Sequence, residues 1–293
     1  ARQTGKSTLA GMTFPEYKII NLDSPIEREI HAQMTPADWF SRYPAAVLDE
    51  IQKAPSLFDS IKATYDQHDD VRYTLLGSSQ FLLMKNVKES LAGRAAIREL
   101  FPLSMPELVT ITSGKSPAAS RLIRLLESSV PSNIMNDIFP PDITLLPESA
   151  EASKMWDYFL TWGGMPVLTH SDFNNEDRFE WLQDYHATYL QRDLSDLARL
   201  EHLEPFMRAQ KTAALRTGQR INFSDVARTS GISAPTARQF MNYLEISYQV
   251  ILLPAWFANH EKRLTKQPKL HFIDPGVRRA ILRKRGMCEG PEY

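Results

Sequence analysis

Gly5-Lys6-Ser7 is the stretch best equipped to do chemistry. With Ala1-Arg2-Gln3-Thr4 in front, it reads as the second half of the phosphate-binding pattern G-x-x-x-x-G-K-[ST]. In that pattern the backbone N–H groups from Arg2 to Ser7 curl around a β-phosphate, and the helix starting near Lys6 turns its positive end to the same anion. Lys6 is then placed to bridge the β- and γ-phosphates, and the Ser7 hydroxyl to hold Mg²⁺. Arg2, Gln3, Thr4, Gly5, Lys6, Ser7 and Thr8 are the expected ATP contacts. A turn before a surface helix can carry the same triplet, so the reading depends on the rest of the chain. The first glycine of the pattern falls just before Ala1, and its apolar strand earlier still, so the chain reads as a piece of a longer protein.

Asp49-Glu50 closes the apolar run Ala45-Ala46-Val47-Leu48. A run without alternation suits a strand buried on both faces of a parallel sheet. Two carboxylates at its C-terminal end suit a Mg·ATP site: the Asp holds the metal and the Glu polarises the attacking water. Solvated carboxylates at a strand end are the plainer alternative.

The elements that must position these groups alternate. A short helix from Ser7 ends near Gly11. Tyr17 to Asp23 reads as a strand, with helices over Ser24 to Gln33 and Pro36 to Tyr43, the latter capped by Thr35. A helix over Ile51 to His68 comes after the Asp-Glu pair. Arg72 to Ser79 is a second buried strand ending in hydroxyls, Gln80 to Leu91 is helical, and Ala95 to Leu100 is a shorter strand. Such alternation predicts a parallel α/β sheet, whose ligands lie beyond the C-terminal strand ends. The loop, Asp49-Glu50 and Ser78-Ser79 are expected to converge there.

Five blocks carry a resemblance: Arg2 to Leu9, Ile20-Asn21-Leu22-Asp23, Leu48-Asp49-Glu50-Ile51-Gln52-Lys53-Ala54-Pro55, Leu76-Gly77-Ser78-Ser79-Gln80 and Ser90-Leu91-Ala92-Gly93-Arg94. In order and spacing they resemble the prokaryotic AAA-type ATPases that carry a C-terminal domain of unknown function. The resemblance implies a P-loop NTPase core of the AAA-like α/β type with ATP and Mg²⁺ as its ligands. It implies Lys6 and Ser7 as nucleotide and metal ligands, Asp49 as the second metal partner and Glu50 as catalytic base. Ser78 or Ser79 is implied as a polar sensor, and Arg94 as an arginine finger, in cis or reaching a neighbouring subunit of a homo-oligomer. Tyr189-Leu190-Gln191-Arg192-Asp193-Leu194 also matches the family. Arg192 and Asp193 there are placed for the nucleotide or a domain interface, or simply for a structural helix pair. Lys269 to Gly276 resembles a strand and turn that lead, in the family, into a nuclease-like segment beyond Tyr293. Asp274 alone makes no nuclease site.

The composition, 43% hydrophobic and 24% charged, fits a folded globular chain. No apolar run approaches the roughly 18 residues of a membrane span. The single Cys288 excludes an intrachain disulfide framework and a cysteine zinc site. A cytoplasmic location with no membrane partner is expected. Net charge is −1, but Phe206 to Tyr293 holds 15 Lys and Arg against 6 Asp and Glu, which raises the question of nucleic acid.

The expected organisation is an AAA-type core over residues 1–112 without its first strand, a proline-rich connection over 113–153 with a helix from Ala118 to Glu127, and a mostly helical unit over 154–293, cut short at its end. In the last unit, helices are expected over Lys154 to Trp162, Glu176 to His202 and Phe206 to Thr217. Asn222 to Leu244 has a helix-turn-helix pattern. Ser224 caps its first helix, Gly231 makes the turn, and Ser233 caps the second helix with Pro235 in the first turn. Strands over Val250 to Trp256 and Lys269 to Ile273 complete a winged helix. Its second helix presents Thr236, Arg238, Gln239 and Asn242 outward to DNA, or to a protein partner.

Overall fold

The computed structural model describes residues 3–78, 83, 86–87, 89–114, 123, 127, 147–190, 203–259, 261, 263 and 266–284. Three parallel strands, β1 (Lys18–Asn21), β2 (Ala45–Asp49) and β3 (Arg72–Leu75), form a sheet in that spatial order. β2 is central, with Ile20 opposite Leu48 and Val47 opposite Thr74. Ala46, Val47 and Leu48 are fully buried, which is why this strand is a continuous apolar run. Helix α1 (Lys6–Thr13) precedes β1 and runs to Thr13, beyond the expected stop at Gly11.

Helices α2 (Pro25–Ala32) and α3 (Pro36–Arg42) carry the chain from β1 to β2. Each opens as its sequence dictates. Ser24 accepts from Glu27 N, Thr35 and Asp38 form a capping box, and a proline holds the first turn of each. Trp39 of α3 is buried among Leu22, Leu48, Ile51, Leu57 and Phe58, and His31 of α2 lies against its ring at 5.3 Å between ring centres. Each large side chain buried there contributes about 1.5–3 kcal/mol of transfer free energy.

Ile51 to His68 is not one helix. A 3-10 turn over Ile51–Lys53 is followed by α4 (Leu57–Gln67). Pro55 explains the break, because it excludes helical geometry at Ala54, which sits at φ −130. Ala95 to Leu100 is not a strand either. Residues 95–98 face Val71 to Leu76 across a cavity of about 520 Å³, so no ladder joins them to β3. Helix α5 (Met105–Ser113) has no counterpart among the expected elements, although its capping box, Ser104 with Glu107, is plain in the sequence.

Most of the expected connection and its helix lie outside the described residues. α6 (Pro147–Trp162) begins at Pro147 rather than Lys154. After Gly163-Gly164 and a 3-10 turn over Pro166–Thr169 comes α7 (Asn175–Tyr185), which runs into a π-helical turn over His186–Leu190. Trp181 stacks on Tyr185 at 5.2 Å between ring centres. Residues 191–202, including Arg192 and Asp193, lie outside the described residues.

Next come α8 (Leu203–Leu215), α9 (Phe223–Ser230) and α10 (Ala234–Ile246), the antiparallel strands β4 (Val250–Leu253) and β5 (Lys269–Phe272), and α11 (Pro275–Leu282). Gly231 makes the α9–α10 turn at φ 69, and Ser233 caps α10 by accepting from Thr236 N. The cap of α9 is Asn222, whose Oδ1 accepts from Ser224 N, and not Ser224. β4 stops at Leu253, where Pro254 removes a ladder donor. Phe206, Ile221, Phe240, Met241, Leu244 and Leu270 fill the space beneath these elements. Among the described residues, no helix is long and apolar enough to cross a membrane.

The two halves touch at named atoms. Leu103 N donates to Gly164 O at 2.7 Å, and Tyr248 Oη donates to Glu99 at 3.0 Å. Gly164 N in turn donates to the Asp274 carboxylate at 2.8 Å.

Candidate functional site

The loop ahead of α1 has the geometry that its glycine allows. Gln3 and Gly5 are both left-handed, at φ 62 and φ 84, and Thr4 between them is buried. At Gly5 a side chain would be strained by that φ alone. Gly5 is the N-cap of α1, and among the described residues no side chain caps the helix there, which is the arrangement of an anion-binding helix start. Lys6 is its first residue and half-buried; Ser7 and Thr8 come next, exposed, in the first turn. Arg2 lies outside the described residues.

The end of β2 meets this loop. Ser7 Oγ donates to Asp49 Oδ2 at 2.5 Å, and Asp49 Oδ1 accepts from Glu50 N at 3.0 Å. The sheet fixes this strand end from both neighbours, because Leu22 N donates to Asp49 O and Leu76 N to Leu48 O. Glu50 then turns left-handed, at φ 56, an uncommon conformation for a side-chain-bearing residue. The turn sends the two adjacent carboxylates apart: Asp49 to Ser7, and Glu50 toward the end of β3. There Glu50 Oε2 accepts from Ser78 Oγ at 3.0 Å and from Gln52 Nε2. Lys53 pairs with Asp23 beside them. Ser79 lies outside the described residues.

A hydroxyl and a carboxylate at this spacing are hard oxygen donors suited to Mg²⁺, which takes one or two protein ligands and completes its shell with phosphates and water. Such a site needs no cage of carboxylates. Among the described residues, no three His, Cys, Asp or Glu side chains gather as one.

The structure does not bring Arg94 to this loop within the chain. Its guanidinium forks onto Asp66, with Nε–Oδ1 at 2.6 Å and Nη2–Oδ2 at 3.1 Å. Asp66 is at the C-terminal end of α4, the helix that leads away from the Glu50 turn. The fork holds the Asp66 carboxyl below its usual range and the guanidinium above its own.

On α10, Arg238, Gln239 and Asn242 are exposed, whereas Thr236 is half-buried and hydrogen-bonded to Ser233. The Arg238 guanidinium lies over the Phe223 ring at 4.8 Å. It separates two surface grooves of about 550 and 560 Å³, one reaching Lys266 and the other Glu245 and Leu252. Gln52 stands in one of the blocks that carry the resemblance but has no role there, although its place two residues after Glu50 is a usable signal. Asp274 is likewise without a role there.

Comparison with known proteins finds matches to two parts of the chain. Residues 1–109 match a family model described as an AAA domain, and residues 153–287 match one described as a domain of unknown function. Uncharacterised proteins of Mycobacterium bovis and Mycobacterium tuberculosis are each 26% identical over 286 residues, covering 96% of this chain and 54% of theirs. The chain thus spans about half the length of these curated relatives. A Walker-type ATPase of Pyrococcus abyssi shares the fold, with a TM-score of 0.52 at 15% identity over 96% of this chain and 89% of that one. The AAA-domain match covers residues 1–109, and the likeness to the Pyrococcus abyssi protein is one of fold.

Proposed function

We propose that the chain forms the Mg·ATP-hydrolysing part of an AAA-type ATPase and couples its nucleotide state to a C-terminal winged-helix unit. The observation that carries this is the Ser7–Asp49 hydrogen bond at 2.5 Å, with Glu50 next in sequence. It joins the phosphate-loop helix to the Asp49 carboxylate at the strand end.

The loop amides from Gln3 to Ser7 and the Lys6 ammonium bind the β- and γ-phosphates. Ser7 and Asp49 would hold Mg²⁺, which would supply neutralisation of the phosphate charge. Glu50 accepts a proton from water as the water oxygen bonds to the γ-phosphorus; the bond from that phosphorus to the β–γ bridging oxygen breaks, and its electron pair leaves with ADP. Ser78, just past the end of β3, or Ser79 beside it, acts as the polar sensor of the γ-phosphate. The contacts of Leu103 with Gly164 and of Glu99 with Tyr248 give a change in the core a route to the second half.

The test is a pair of variants in the whole protein. Glu50→Gln is expected to keep ATP binding and lose turnover, and Lys6→Ala to lose the ATP-dependent rise in melting temperature. Undiminished hydrolysis in Glu50→Gln would overturn the assignment.

A second role is supported by α10. Arg238, Gln239 and Asn242 are exposed on the second helix of a helix-turn-helix, in the part of the chain richest in cations. This favours duplex DNA as the partner of the winged helix.

A further inference from the structure

Behind Glu50 lies a polar group that the proposed hydrolysis leaves unused. Gln52 sits in the 3-10 turn after β2 and is only 7% exposed. Its Nε2 donates to Glu50 Oε2 and, at 3.4 Å, to Ser78 Oγ. Ser78 Oγ donates to the same Glu50 oxygen at 3.0 Å, so the three side chains close a small ring of hydrogen bonds. The other end of the amide, Oε1, has no hydrogen-bond partner among the described residues. It is pressed against Gly77, where an added Cβ would stand 2.5 Å from it.

Packing does not account for this side chain. Burying a primary amide with one end unsatisfied is costly, and a methionine would fill the same space without that cost. What the amide provides is a donor aimed at one carboxylate. The backbone agrees, since Glu50 is held in the left-handed region, at φ 56, where its side chain leaves β2 toward Ser78 instead of toward the loop. Gly77 agrees as well, because the close approach of the amide needs a residue without Cβ there.

We infer that Gln52 is a positioning residue for ATP hydrolysis. It fixes the Glu50 carboxylate beside Ser78 and ties the base to the end of β3. The inference rests on the assignment of Glu50 as base. Without the amide donor the Glu50 side chain gains rotamers that point away from the attacking water, while the loop that binds ATP keeps its geometry. Small displacements of a positioned group lower turnover without touching binding.

The experiment compares Gln52→Met, Gly77→Ala and Glu50→Gln with the unsubstituted protein, measuring kcat, KM and the ATP-induced melting shift. Gly77→Ala is included because it leaves Gln52 in the sequence and displaces only its amide. The expected result is a kcat at least about tenfold lower in Gln52→Met and in Gly77→Ala, with KM and the melting shift within about twofold. An unchanged kcat in Gln52→Met, beside lost turnover in Glu50→Gln, overturns the inference and leaves Glu50 as base. Undiminished turnover in Glu50→Gln, or none in the unsubstituted protein, removes both. Loss of the melting shift together with kcat in the folded variants means a structural role and also overturns it. Should Gln52→Met not fold, Gly77→Ala decides on the same criteria.

Discussion

Ser7 on α1 and Asp49 at the end of β2 are 42 positions apart in sequence and share a hydrogen bond of 2.5 Å. Neither residue is buried, so the contact is not a packing accident of the core. If the pair holds Mg²⁺, Ser7→Ala and Asp49→Asn should each weaken ATP binding at least about tenfold in Mg²⁺, which is about 1.4 kcal/mol. Each should leave the weaker binding without Mg²⁺ unchanged, because the loop amides and Lys6 remain. The double variant should be no worse than either single one, since both substitutions break one unit. Titration calorimetry with and without Mg²⁺ measures all of this. Additive losses would mean that the two residues act separately.

Arg94 and Asp66 form a two-pronged ion pair at the far end of α4. Both are exposed, so a large effect on stability is not expected. Arg94→Ala and Asp66→Ala should lower the melting temperature by similar small amounts and should not add. Turnover per chain should then be independent of protein concentration and change less than about twofold, because the fork lies away from the loop. A turnover that depends on protein concentration, and that falls only in Arg94→Ala, would instead place this arginine at a neighbouring subunit's nucleotide.

What could be read from the sequence was whatever depends on local rules. Ala46-Val47-Leu48 announced a strand buried on both faces, and Thr35-Pro36 announced a helix start; both are found. That the loop and Asp49 would share one sheet edge could be expected from the general placement of ligands in parallel sheets. Features set by tertiary contact were not legible. Nothing in Asp49-Glu50 shows that Glu50 turns left-handed, so the split of the two carboxylates could not be foreseen. Ala95 to Leu100 has the composition of a strand, but pairing needs a neighbour within hydrogen-bonding reach, and a cavity lies between it and β3. Asn222 and Ser224 are both good caps, and only the chain direction at Asn222, φ −110 and ψ 115, selects the first. Arg94 stands out by its place in a motif, whereas its position in the fold is set by Asp66 on another element.

Arg238 is exposed on α10 and stacked on Phe223, which holds its guanidinium over the surface at little further entropic cost. If this surface binds duplex DNA, affinity should fall with rising salt, and Arg238→Ala should weaken it. A phosphate contact there would reduce the salt slope by about one and weaken all sequences alike. A base contact would leave the slope nearly unchanged and relax sequence preference. Binding titrations at several salt concentrations on two unrelated duplexes separate the two. Retention that ignores salt would instead point to a protein partner.

Asp274 caps α11 and is fully buried, and burial pushes its carboxyl up to about 6 although Gly164, Val277 and Gly276 N–H groups pull it down. Gly163 explains how the site fits, since it has no Cβ where the carboxylate lies and takes φ 80. The raised value sets a sign. Between about pH 4 and pH 6 the folded protein keeps a proton that the unfolded chain releases, so this residue's contribution is fully present below about pH 4 and is lost as pH rises through 6. The shift from 3.8 to about 6 corresponds to roughly 3 kcal/mol over that window. Asp274→Asn has no such titration. Its amide also brings a donor against backbone N–H groups that need an acceptor, which should destabilise the protein by about 1–3 kcal/mol. Urea unfolding, monitored by tryptophan fluorescence, should therefore show a larger deficit for Asp274→Asn at pH 4.5 than at pH 7. A deficit that grows with pH would mean that the native carboxyl is held ionised, with Asp274 acting as a charged cap instead.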